Sequence, residues 1–217
     1  MHFAFFDPEA GVDVSRRNLP HWFQPGACYF VTFRTADSLP AEVIERWTEG
    51  RRRWLVANGI DAGEPNWVLA VGRLSKAQQD EFHRSFTDAF HGLLDAGHGE
   101  CVLRRPDVSQ IVANAFKHFD GVRYYLSDFV VMPNHVHLLL GLIGDTTLAD
   151  VCSSWKKYTA NQINRLLSRR GHFWQGESFD HIVRSAEQFE FFRNYVAANP
   201  EKAGLRPGEF VHYRSVE

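Results

Sequence analysis

Hydrophobic and polar positions alternate along this chain in two rhythms, and their order predicts the elements. CYFVTFR (residues 28–34), entered through Pro25-Gly26, is a run of aromatic and β-branched residues suited to a pleated surface, and it predicts the first sheet strand. From Pro40 the rhythm becomes helical. AEVIERWTEGRRRWLVAN runs to a break at Asn58-Gly59, a turn-prone connector follows, and a second helix is predicted from Ser75 to Leu94, with Ser75 as N-cap and Gln78 as its capping-box partner. PDVSQIVANAFKHFD puts Val108, Ile111, Val112, Ala115 and Phe119 at helical spacing, and Gly121 stops it. VRYYLSDFVVM and HVHLLLGL then read as two strands joined by a hairpin turn at Met132-Pro133-Asn134. A long amphipathic helix is predicted from Thr147 to Ser168, stopped by Gly171. The strand-like HIVRS (181–185) follows, and then a last helix from Glu187 to Ala198, ended by Asn199-Pro200.

The order strand, helix, strand, strand, helix, short strand predicts an α+β antiparallel sandwich of the ferredoxin-like kind, with helices packed on the sheet. The helical pair over 40–94 falls outside that order and reads as an insertion, and 186–217 reads as a C-terminal helix and tail. A length of 217 residues suits one domain, 1–217, rather than two.

Composition changes this picture little. With 44% hydrophobic and 14% aromatic residues the chain has the material for a core. Its net charge of −2 excludes a molecule that is basic all over, so any nucleic-acid surface must be local. The best local candidate is Val151–Arg184, where Lys156, Lys157, Arg165 and Arg184 stand among few acids. Three cysteines with no CxxC spacing argue against a disulfide framework or a cysteine zinc site, and fit a reducing cytoplasm. No apolar run has the roughly 18 residues that a membrane span requires.

Two clusters carry candidate chemistry. His135 and His137 are two apart on a predicted strand, so both imidazoles leave the same face and can converge on one cation. On the following helix Tyr158 and Gln162 are four apart and share a face, at the edge of a buried stripe formed by Leu148, Cys152, Trp155, Thr159, Ile163 and Leu166. A phenol gives up its proton only near pH 10, so a tyrosine that attacks phosphate needs a cation to offset charge in the transition state. Two His nitrogens and the Gln162 carbonyl would supply three ligands for a divalent metal ion, Mg²⁺ or, with its greater tolerance of nitrogen, Mn²⁺.

MPNHVHLLL (132–140) with WKKYTANQIN (155–164) resembles the His-hydrophobic-His and single-tyrosine motifs of the bacterial insertion-sequence transposases, and especially of the REP-associated tyrosine transposases. The likeness extends through GACYFVTFRTADSLP, LRRPDVSQIVANAFKHFDGVRYYLSDFVVMPNHVH and FWQGESFDHIVRSAEQFEFFRNYVAANPEKAGL, or about residues 26–206. It implies an RRM-like sheet and an enzyme that cuts single-stranded DNA beside a hairpin through a 5′-phosphotyrosine link. Carried over by position, Tyr158 would be the nucleophile and His135, His137 and Gln162 the metal ligands. Two other classes stay open: a domesticated protein that holds DNA or RNA hairpins without cutting, and a metal hydrolase that activates water. If Tyr158 is not the attacking group, water or another tyrosine such as Tyr124, Tyr125 or Tyr195 must be. The sequence leaves the oligomeric state, monomer or dimer, undecided.

Overall fold

The structure, a computed structural model, describes residues 3–11, 13–16, 20–64 and 67–215. Its centre is the segment whose rhythm was plainest. Strand β3 (Cys28–Arg34) is buried along its whole length between β5 (His135–Leu142) and β6 (Phe179–Ile182), while β4 (Tyr124–Val131) lies on the other side of β5. Helix α5 (Pro106–His118) joins β3 to β4 and α6 (Leu148–Leu166) joins β5 to β6. The succession β3-α5-β4-β5-α6-β6, with all strands antiparallel and spatial order β6-β3-β5-β4, is the ferredoxin-like arrangement that the sequence predicts. A further strand, β7 (Val211–Arg214), pairs with β4 within the stretch expected to be a tail. A separate two-stranded ribbon, β1 (Asp13–Arg16) with β2 (Pro20–Phe23), precedes the sheet.

The period-two alternation of β3 and β5 divides the sheet into two faces with different covers. Tyr29, Val31, Phe33, Val136, Leu138 and Leu140 face α5 and α6 and pack with Val112, Phe116, Val151, Trp155 and Ile163 in the main core. Cys28, Phe30, Val130, Met132 and Leu139 face the other way and pack under helix α7 (Ala186–Lys202) through Phe189 and Val196. His135 and His137 belong to this second face.

Helix α7 runs past its expected end and takes in Pro200. Proline lacks the N–H that would bond to the Val196 carbonyl, but burial of Val196, Asn199 and Pro200 holds the last turn in place. A buried ion pair fixes the helix in register: Arg193 Nε donates to Asp128 Oδ2 at 3.0 Å, with Asp128 fully buried and Arg193 nearly so. Removing one member of such a pair strands the other charge. Asp128→Ala is therefore expected to lower unfolding free energy by about 3–5 kcal/mol in urea denaturation, and a loss under about 1 kcal/mol, the level of an exposed pair, would show that the anchor does not hold α7.

The insertion is helical as expected but not as two plain helices. Helix α1 (Ala41–Ala57) is followed by α2 (Trp67–Gly72) and α3 (Lys76–Phe82), a π-helical stretch over His83–Asp88, and α4 (Ala89–Asp95). Ser75 caps α3 through the expected box with Gln78. Leu55, Ile60, Trp67, Val71 and Phe82 form a small core of the insertion's own, and α4 comes down on the histidine face of the main sheet.

Candidate metal centre and nucleophile

Cross-strand pairing sets the two histidines. His137 lies opposite Thr32 and His135 opposite Arg34, so both rings project beside β3 and are fully buried. His135 Nδ1 is 2.7 Å from Asn134 Oδ1, and the Asn134 amide nitrogen donates to the His98 carbonyl, which fixes the amide's orientation. An amide oxygen only accepts, so Nδ1 of His135 carries the proton and its Nε2 presents a lone pair. That lone pair points at His137 Nε2, 3.0 Å away, while His137 Nδ1 is held at 2.7 Å by Thr32 Oγ1. Outer hydrogen bonds on the far nitrogens that turn both near nitrogens to one point are how imidazole metal ligands are oriented.

A carboxylate completes the cluster. Asp95, at the end of α4, brings Oδ1 to 3.5 Å from His135 Nε2, and one ligand atom from each of Asp95, His135 and His137 lies within 4.8 Å of the others. Burial holds both histidines neutral: it pushes His135 down to about 3 and His137 well below its usual value, with neighbouring imidazoles adding to each shift. Burial also raises the Asp95 carboxyl to about 6, against the pull of Lys202. Asp95 Oδ1 is buried without a hydrogen-bond partner. Neutral nitrogen donors beside an orphaned buried carboxylate oxygen fit a divalent cation, with Asp95, His135 and His137 as the residues that would hold it.

Gln162 is not among them. Helix α6 packs on the opposite face of the sheet through Cys152, Trp155, Thr159 and Ile163, so the sheet itself stands between Gln162 and the histidines. Tyr158 lies on the same helix, 53% exposed and turned away from the core. The expected convergence of both residues with His135 and His137 is therefore not made within this chain. Leu166, expected in the buried stripe, is also exposed. The expected basic surface divides likewise. Lys156, Lys157 and Arg165 ride on α6, with Lys156 Nζ donating to the Gln175 and Gly176 carbonyls, and only Arg184, exposed after β6, lies off that helix.

In place of Tyr158 the fold brings Tyr195 to the histidines. Its ring lies 5.2 Å from that of His137 and 5.5 Å from that of His91, a third imidazole supplied by α4. Beyond a contact with each other that falls short of a full hydrogen bond, the buried Tyr195 hydroxyl and both polar atoms of the fully buried Asn199, one turn further along α7, have no partner. Of the seven such atoms among the described residues, four belong to Asp95, Tyr195 and Asn199. Burial, and the Asp95 carboxylate after it, raise the Tyr195 phenol above its ordinary value. The sequence signal was present, because Tyr195 and Asn199 repeat the tyrosine-to-amide spacing of four seen at Tyr158 and Gln162. Spacing could not show which helix lies on the histidine face.

On a ferredoxin-like sheet, two histidines and a carboxylate that could hold a cation thus stand beside a buried tyrosine. Residues 102–199 match the family model of the IS200-like transposases, a stretch that contains His135, His137, Tyr195 and Asn199. That stretch is under half of the chain, and over it the chain is similar to the IS200-like transposases, in line with the sequence resemblance. No curated protein matches the chain. Among solved structures it is similar to the REP-associated tyrosine transposase bound to a REP hairpin, at 14% identity over 86% of this chain and 73% of that one, with a TM-score of 0.47. Among the described residues no helix is long and apolar enough to cross a membrane.

Proposed function

We propose that the chain is a single-stranded DNA nicking and joining enzyme that acts beside a hairpin, with Tyr195 as its nucleophile. The observation that carries this reading is the unpartnered, buried Tyr195 hydroxyl set beside the His135–His137 pair. A hydroxyl left without a hydrogen bond in a folded interior costs stability, and the arrangement makes sense when a ligand supplies the missing partner.

In the proposed step Tyr195 Oη attacks the scissile phosphorus as the bond from phosphorus to the 3′ oxygen breaks. The phenolic proton passes to solvent, the leaving oxygen takes up a proton, and the products are a 5′-phosphotyrosyl link and a free 3′-OH. Because one phosphodiester replaces another, the link conserves the energy for rejoining. A bound Mg²⁺ or Mn²⁺ supplies charge neutralisation at the phosphate. The chain's own contribution is to hold the imidazoles neutral and aimed, through Thr32 and Asn134, and to keep the phenol rigid on an anchored helix.

The test is incubation of the full chain with single-stranded hairpin oligonucleotides and Mn²⁺, followed by a denaturing gel. A covalent protein–DNA adduct is expected. Cutting without an adduct would favour water activated by the metal, and binding without cutting would favour a hairpin-binding protein.

A further inference from the structure

Where helices α1 and α4 lean against β3 and β6, they leave a cleft of about 580 Å³. It shares Thr32 and His91 with the metal centre, so the two are continuous. Its walls are aromatic: Trp47 and Phe90 meet at 4.9 Å between ring centres, and Trp67, Phe86 and Phe179 of β6 also line it. The Arg51 guanidinium lies over two of these rings, 4.5 Å from Trp47 and 5.1 Å from Trp67. Arg34 also lines the cleft. It is only 7% exposed, its guanidinium donates to Ser38 Oγ at 2.9 Å, and among the described residues no carboxylate pairs with it.

A buried guanidinium without a counter-charge is costly unless a ligand brings one. Flat aromatic faces crossed by an arginine suit the π-face of a nucleobase, and every base has one. The volume is within the range of small-ligand pockets and too confined for duplex DNA. We propose that this cleft takes an unstacked nucleobase from the single strand beside the cleavage point, the base lying against Trp47 and Arg51 and its phosphate on Arg34. The insertion thereby becomes the part of the chain that chooses where along the strand the tyrosine acts. This inference rests on the proposed DNA-nicking function.

To test it, 2-aminopurine is placed one position at a time through the single-stranded flanks of a hairpin oligonucleotide, and its fluorescence is followed as the full chain binds. Quenching is expected at one flank position, as the base stacks in the cleft. Trp47→Leu and Arg51→Ala should each relieve that quenching and weaken binding of the flanked oligonucleotide on the order of tenfold. Circular dichroism checks folding, and Arg51→Ala keeps the test valid if Trp47→Leu disturbs the insertion. If wild-type protein binds and forms the covalent adduct but quenches no position, or if quenching persists in folded Arg51→Ala, the cleft is not a base site and the nicking function stands. If the wild type neither binds hairpin DNA nor forms an adduct, both readings fall.

Discussion

Tyr195→Phe is expected to eliminate the covalent adduct and reduce strand cleavage by roughly a thousandfold or more, the usual scale for loss of a nucleophile, while leaving the protein at least as stable as before. The two halves of this result have one cause. The Tyr195 hydroxyl is buried and, apart from a contact with the Asn199 amide that falls short of a full hydrogen bond, unpartnered, so the fold carries most of the desolvation cost of that group without return. Deleting the oxygen and keeping the ring removes a cost of about 1–3 kcal/mol and preserves the packing against Phe30, His91 and His137. Thermal unfolding should shift upward or stay level, against the usual trend for core substitutions. Tyr158→Phe is the control. That side chain is half-exposed on the far side of the sheet, and its loss should change neither adduct yield nor stability. An adduct that survives Tyr195→Phe and disappears in Tyr158→Phe would overturn the assignment and require α6 to reach a metal centre by some route other than this fold.

Acidification of the metal-free protein should produce the second large effect. Burial lowers six histidines, and four of them carry the effect: His91 and His181 to about 4, His135 to about 3 and His137 well below its usual value, with His83 and His212 shifted in the same direction. In the unfolded chain each titrates near 6.5, so below that pH the unfolded state binds more protons than the folded state and stability falls as pH falls. The contribution is complete above about pH 6.5 and is lost progressively toward pH 4. Asp95 works in the opposite direction: its folded value is raised to about 6, so between pH 6 and 4 the folded state takes up a proton that the unfolded carboxyl does not, which offsets one of the four. The net of about three protons gives at most roughly 4 kcal/mol per pH unit between pH 6 and 5. Urea midpoints in EDTA at pH 7.5, 6.5 and 5.5 should therefore drop steeply over the last interval. Excess Mn²⁺ should raise the midpoint at pH 7.5, through a gain in unfolding free energy of about 2.7 kcal/mol at a hundred times its dissociation constant, and should lose its effect on acidification as the ligands protonate. A pH-independent midpoint would mean that the histidines are solvated, and no response to Mn²⁺ would remove the cation from the reading.

What sequence alone determined is everything governed by local period. The aromatic and β-branched run CYFVTFR and the strand-like HVHLLLGL placed the central strands, and the spacing of two turned His135 and His137 to one face. The 3.6-residue spacing placed α5, α6 and the buried stripe of α6 except for Leu166, and the chemistry of Ser75 and Gln78 placed a helix start. Those are short-range consequences of backbone geometry, and neighbouring residues suffice to fix them. The partner of the histidine pair is a different kind of question. Two helices offered a tyrosine with an amide four residues on, and both satisfied every local rule. Connection geometry decided between them: α6 crosses from β5 to β6 on the face that it shares with α5, whereas α7, arriving after the last core strand, is free to cover the other. Asp95 was beyond reach for the same reason, since it lies forty residues before His135 in a helix whose docking depends on Phe30, Tyr195 and the histidine rings that it meets only in the folded chain. A local pattern says which way a side chain points from its own element, and only packing of distant elements says what stands there to meet it.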